Sequence, residues 1–436
     1  MKKIINLVLI LFLSVLIGWG LLTLVYLLPV EKMEVNMSPS AEVLASEGYT
    51  PTSVTPYLSS RGDNGKRSLR RMLFNSWITL RDNFTDALML GAASCDSDKP
   101  AYQKALLIYK YDETPIEALN YVFAGSAPAN IPLNSYARYW HGYLIILKPL
   151  LMLLNYSEIR LLNILIEFIL LLILFREMLK KFNSNFVFLF FASMLFVSPY
   201  IIPLCLQYTT VFFPLILGLI VLFKKYEWFY NNNRFIYYFL IMGIVTSYFD
   251  LLTYPLITWG IPLLLLLGMD SSNSKLSFSK LCSSSASWLL GYAGMWVGKW
   301  TIGSIVLGKN IFADGLENLL FRTSHVSPDK VTPINIFYIL GEHLYKYANI
   351  VYISLILLIF VPLFIRICRE HGKISWKTFL HENWIYILVG LAPIVWYQIA
   401  LNHSVHPYTF RILWITILSG IMFLYRLAGY SFQKQS

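Results

Sequence analysis

The chain has 436 residues, 57% of them hydrophobic and 14% charged, with 35 Lys and Arg against 24 Asp and Glu. So little charge cannot cover a soluble core, and several apolar runs reach the roughly 20 residues that cross a hydrocarbon slab. The formal net charge of +11 sits in short clusters between those runs, the placement of cytoplasmic loop ends beside anionic lipid. Membrane lipids, not nucleic acid, are its expected partner.

In chain order, Lys2 and Lys3 precede the apolar run Ile4 to Val30, which lacks a small-x-small cleavage site and reads as a retained first transmembrane helix over residues 1–30. Residues 31–158 then read as an extracytoplasmic loop. Its early part, Ser38 to Asn64, is polar and turn-rich. Lys66 to Arg81 has the apolar spacing of an interfacial helix, and Gly142 to Leu154 is a second, too short to span. Residues 159–436 form the expected bundle. Ile159 to Phe175 ends in Arg176, Lys180 and Lys181. Hairpins follow at Phe186 to Val197 with Thr209 to Phe223, and at Phe235 to Phe249 with Leu252 to Leu267. Leu281 to Leu307 leads to a second outer loop at 308–349. Ile350 to Ile365, Ile385 to Leu401 and Arg411 to Tyr425 complete the series. The prediction is an all-α polytopic membrane protein with about ten transmembrane helices, both termini cytoplasmic, because the strongly basic clusters then all fall on one side. Cys95, Cys205, Cys282 and Cys368 are scattered and give neither zinc spacing nor a disulfide framework.

The candidate site residues lie toward the extracytoplasmic side. Asp82 and Asp86 in RDNFTDALML share a helical face and read either as a general base or as helix-start chemistry. Asp250 ends a span, where it faces an outer cavity or serves only the helix end. Lys299 lies in a long apolar run, where a charge costs about 2.5–3.5 kcal/mol. It is expected to contact an anion, or otherwise to snorkel to the surface. Arg322 and Arg411 add positive charge and, with Lys299, point to anion recognition, although each alone is compatible with an interfacial anchor. His403 and His406 stand three apart in NHSVHPYTFR and fit hydrogen bonding to sugar or phosphate better than a metal, for which nothing nearby supplies a third ligand. Tyr136, Tyr139, Trp140 and Tyr143 surround Arg138 and His141, either as an interface belt or as a platform for sugar rings. Nucleotide loops, serine elbows and zinc-helix motifs are missing, so no cofactor is indicated.

The stretch from Tyr136 to Lys181, with His141, Ser157, Glu158 and Arg160 in place, resembles the protein-mannosyltransferase-like pattern of the GT-C superfamily of membrane glycosyltransferases. The resemblance is architectural over most of the chain and motif-level around residues 77–181. It implies a GT-C-like fold, a polyprenyl-phosphate-linked sugar as donor, and an aspartate base in the first outer loop, at Asp86 or Asp82. Here a long polar insert precedes those acids. The implied activity is transfer of a sugar to a cell-surface glycan or lipid-linked acceptor. Lys299, Arg322 and Arg411 would hold the donor phosphate, and His141, Arg138, Tyr139, Trp140, Asp250, His403 and His406 the substrate. The alternatives are a flippase or transporter of a lipid-linked saccharide, and a polysaccharide polymerase or ligase. The lack of an internal repeat and the acid-bearing first loop favour the transferase over a transporter.

Overall fold

A computed structural model describes residues 2–48, 73–74, 79–123, 131–270, 274–326, 333–370 and 375–433. The chain is a helical, multi-pass membrane protein. Among the described residues, six helical segments are long and apolar enough to cross a bilayer: Lys2–Val25, Ser184–Leu204, Leu206–Lys224, Ile350–Arg369, Trp376–Ile399 and Pro407–Leu427. Phe235–Phe249 and Ile257–Met269 are apolar but shorter, and the helices Tyr156–Lys181 and Ser274–Leu307 carry more polar residues along their length. Six such segments stand where about ten spans were expected.

Burial separates centre from periphery. Leu206–Lys224 and Pro407–Leu427 are each 67% buried over their apolar windows, whereas Lys2–Val25 is 17% and Ile350–Arg369 22% buried. The last two turn Ile4, Phe12, Ile17, Leu358 and Phe364 outward, as helices bathed in lipid do. Helices in lipid associate by close packing, which needs small residues at the contact. Gly243 and Gly291 meet that need. A side chain at Gly243 would strike the Trp288 carbonyl, and one at Gly291 the Leu240 carbonyl. Phe235–Phe249 and Ser274–Leu307 thus run together almost backbone to backbone.

The described residues between the first span and the bundle hold more helix than their polarity predicts. Glu31–Glu47 is a helix despite Pro39, overturning the turn-rich reading of its last ten residues. Met33, Met37, Ala41 and Leu44 make a fully buried stripe at helical spacing, and Gly48 closes the helix at φ 69°. The expected interfacial helix at Lys66 to Arg81 lies almost wholly outside the described residues. Asn83–Ser94, Ala101–Leu107 and Pro115–Phe123 follow as short helices, with a two-stranded antiparallel ribbon pairing Tyr109–Tyr111 with Leu133–Ser135. The other stretch expected as an interfacial helix, Gly142 to Leu154, contains the helix Leu144–Leu151.

Asn155 starts the Tyr156–Lys181 helix with a capping box. Its side chain accepts from the Ser157 and Glu158 N–H groups (3.0 and 3.2 Å), and Glu158 accepts from the Asn155 N–H at 2.8 Å. One turn on, Arg160 grips Glu47 with two parallel bonds of 2.6 and 2.9 Å and donates to the Leu204 carbonyl at 2.8 Å. This fork ties the Glu31–Glu47 helix to the bundle. Between Asn310 and Asn349, the stretch expected as a second loop contains two helices, Ile311–Arg322 and Ile336–Tyr347.

Candidate functional site

The predicted acids are the natural starting point. Asp82 caps the Asn83–Ser94 helix: one carboxylate oxygen accepts from the Thr85 N–H at 3.1 Å, the other from the Thr85 hydroxyl at 2.9 Å. Asp86, one turn on, is fully buried and points at the start of the Leu206–Lys224 helix. It accepts from the Leu206 and Gln207 N–H groups (2.9 and 3.0 Å) and from the Tyr156 hydroxyl. An anion at a helix N-terminus satisfies donors that have no intrahelical partner. The Tyr156 oxygen in turn accepts from Arg160 at 2.8 Å. Glu47, Arg160, Tyr156 and Asp86 thus form one chain of charged and polar contacts across three helices. Burial pushes the Asp82 carboxyl up to about 7, with the Asp86 charge adding to the rise. Burial also pushes Asp86 up to about 6 against the opposing hydrogen bonds from Tyr156, Gln207 and Leu206.

Beside Asp82 lies a cavity of about 100 Å³, walled by Thr85, Tyr139, Gln207, Arg322, His403 and His406 together with Phe84, Leu88, Tyr136, Leu251, Leu252 and Tyr408. It shares Phe84, Leu88 and Tyr136 with a wider, more open cleft of about 390 Å³ that adds Arg138, Lys110, Asp112 and Glu113. Six elements remote in sequence converge here, which explains why Gln207, Tyr408 and Thr85 were not identified as site residues. The residue types were ordinary, and only the NHSVHPYTFR pattern, the Tyr136–Tyr139 cluster and Arg322 signalled parts of the wall.

Hydrogen bonds fix the histidines. His403 is buried and its Nε2 faces the Leu252 carbonyl. A carbonyl only accepts, so Nε2 carries the proton and Nδ1 is left as an acceptor, without a partner among the described residues. Arg322 Nη1 lies 3.1 Å from His406 Nε2. A guanidinium only donates, so that nitrogen is unprotonated. The His406 ring stacks on Tyr408 at 5.3 Å with 3° between planes. Burial, then the neighbouring His406 and Arg322, hold the His403 imidazole well below the usual histidine range, so it is neutral.

Asp250 serves this wall from behind. Its two oxygens accept from the Thr253 N–H at 2.8 and 3.0 Å, closing a tight turn that holds Leu252 at φ 65° and aims its carbonyl at His403. A left-handed leucine is strained, and such residues persist where the surroundings over-determine them.

Other predicted residues sit elsewhere. Lys299 is buried and donates to the Ala105 carbonyl at 3.0 Å, in the last turn of Ala101–Leu107, 5.2 Å from the Trp140 ring centre. It is neither snorkelling nor in the cavity wall. Trp140 donates to the Met295 carbonyl at 2.7 Å and is core, not platform. His141 is buried, with Nδ1 3.0 Å from the Tyr143 hydroxyl. Arg411 donates from Nε to the Val197 carbonyl at 3.0 Å and lies over the Tyr208 ring at 4.0 Å, under the cavity rather than in its wall. Arg138 reaches the wider cleft, 3.3 Å from Asp314 and 4.4 Å from the Tyr136 ring centre. The three cations expected to act together are therefore apart, and Arg322 alone lines the inner cavity.

A second, apolar space of about 510 Å³ lies on the other side of the same wall. It follows the Leu206–Lys224 helix from Leu206 to Val221, about 22 Å at 1.5 Å per residue. Met89, Ile159, Phe213, Leu217 and Met242 are among its lining, with Asn163, Thr209 and Thr210 its few polar residues. Leu88 and Gln207 face the polar cavity, while their chain neighbours Met89 and Leu206 face the apolar groove. Compared with protein-family models, curated proteins and solved structures, the chain matches none.

Proposed function

We propose that the protein is a membrane glycosyltransferase of GT-C type, moving a sugar from a polyprenyl-phosphate donor to a glycan or lipid-linked acceptor on the extracytoplasmic side. The observation that carries this reading is the shared wall. A long apolar groove and a polar cavity lie back to back across Leu88–Met89 and Leu206–Gln207. A donor with an isoprenoid tail and a polar head needs these two environments next to each other. In this reading the tail lies along the groove, and the wide cleft at Lys110, Asp112 and Arg138 admits the acceptor.

The proton has a route. Thr85 lines the cavity and its hydroxyl donates to Asp82. A carboxyl near 7 is a suitable base at neutral pH. The acceptor hydroxyl passes its proton through Thr85 to Asp82, its oxygen attacks the anomeric carbon, and the bond from that carbon to the lipid phosphate breaks, its electron pair leaving with the phosphate. Arg322 is the cation placed to offset charge on the leaving group. Asp82, the second choice from sequence, takes precedence over Asp86 here because its hydroxyl partner Thr85 lines the cavity, whereas Asp86 is held by the Leu206 and Gln207 N–H groups and Tyr156.

Transfer of labelled sugar from a purified polyprenyl-phosphate donor, in liposomes, is the test. Leu217→Trp, at the exposed lip of the groove, is expected to raise the donor KM with little effect on kcat. Movement of the lipid-linked sugar between leaflets without transfer would instead identify a flippase.

A further inference from the structure

The cavity contains an imbalance of hydrogen-bonding groups that defines its ligand. Gln207 Oε1 and His403 Nδ1 are acceptors, Arg322 Nε is a donor, and none of the three has a partner among the described residues. Gln207 and His403 are 1% and 3% exposed, so bulk solvent hardly reaches them. The Gln207 side chain is oriented by its contact with the Tyr408 hydroxyl. His403 is oriented by Leu252, and Arg322 by His406. All three are thus held from behind, and each buried unsatisfied group carries a desolvation penalty that a matching ligand removes.

We propose that this cavity is a subsite for a neutral sugar ring, with Gln207 and His403 each accepting from a ring hydroxyl and Arg322 donating to a ring or hydroxyl oxygen. A phosphate dianion matches the arginine but presents no proton to two acceptors. A hydroxylated ring presents both donors and acceptors, and Tyr136 and Tyr139 add aromatic faces to the wall. About 100 Å³ has room for roughly three waters. The enclosed part therefore takes one edge of a pyranose, and the rest of the ring extends past Phe84 and Tyr136 into the wider cleft. The subsite rests on the transferase reading only for its purpose; its chemistry stands on the cavity alone.

The test is binding, separate from turnover. The full chain in nanodiscs is titrated with neutral methyl pyranosides (gluco, galacto, manno and N-acetylglucosamine forms) and with inorganic phosphate, read by saturation-transfer NMR. At least one glycoside is expected to bind saturably. Gln207→Met, close in volume and without the acceptor, is expected to weaken it by about tenfold, with unchanged thermal unfolding. His403→Gln, which can still reach Leu252, should weaken it less than His403→Phe. Binding of phosphate in place of every glycoside overturns the proposal, as does equal glycoside affinity in wild type and Gln207→Met. Glycoside binding that depends on Gln207 in a protein without transfer activity supports the subsite and removes the transferase reading. Transfer activity untouched by Gln207→Met, with no change in donor or acceptor KM, removes the subsite and leaves that reading in place.

Discussion

The Lys299 ammonium donates to the Ala105 carbonyl at 3.0 Å, ending the Ala101–Leu107 helix with a charge supplied from the long Ser274–Leu307 helix. Lys148 does the same for Asn83–Ser94 through the Ala93 carbonyl at 2.7 Å, with burial lowering that ammonium to about 8. A cation at a helix C-terminus opposes the helix dipole and satisfies an otherwise unpaired carbonyl.

Lys299→Ala is therefore expected to cost about 1–3 kcal/mol of stability and to leave donor affinity unchanged. Lys299→Met should retain more of that stability, because it keeps the packing on Trp140 and removes a buried charge. Thermal unfolding and donor binding, measured on the same preparations, check this. A large loss of donor affinity in a protein of normal stability would return Lys299 to the site.

The two aspartates separate by pH. Asp82→Asn is expected to lower turnover by about 10²–10⁴-fold and to abolish the rise in rate as pH increases through about 7. The stability sign is opposite to that of a salt-bridged acid. The folded state holds Asp82 protonated between the ordinary carboxyl range and about 7, so stability falls as pH rises through that window. Asp82→Asn should flatten that fall, whereas Asp86→Asn should chiefly destabilise the protein by disturbing the Leu206–Gln207 turn. An unchanged pH–rate profile in Asp82→Asn removes it from the proton route.

Gly243 and Gly291 test the packing. A leucine at either position meets backbone carbonyls, not movable side chains. Each substitution is expected to cost at least about 1–3 kcal/mol, with loss of the monodisperse peak on size exclusion, while Gly341→Leu, at a site with open space, is tolerated. Normal behaviour of Gly243→Leu would contradict the close crossing.

Orientation follows from the proposed sidedness. Cys282 and Cys368 are exposed, and Cys95 and Cys205 buried. In intact cells an impermeant thiol reagent is expected to leave wild type unlabelled and to label Glu113→Cys, on the rim of the wide cleft. A Ser375→Cys variant should label only after permeabilisation. Labelling of Ser375→Cys in intact cells reverses the orientation.

Composition and the lengths of the apolar runs were enough to specify a helical membrane protein, because the bilayer imposes a length and an internal hydrogen-bond requirement that few soluble sequences meet. The boundaries of Phe235–Phe249 were legible to the residue, since a largely apolar run lies there between Arg234 and Asp250. The Glu31–Glu47 helix was also present in the sequence, as its stripe of Met33, Met37, Ala41 and Leu44, but its polar average and Pro39 concealed it. The fate of each charged residue was not legible. Lys299, Arg322 and Arg411 look alike in sequence, yet one caps a helix, one lines the cavity and one is held under it. Which carbonyl, carboxylate or ring a buried side chain meets depends on residues far away along the chain: Leu252 on His403, Leu206 and Gln207 on Asp86. Those pairings arise only when the helices pack, so the tertiary structure alone decided them.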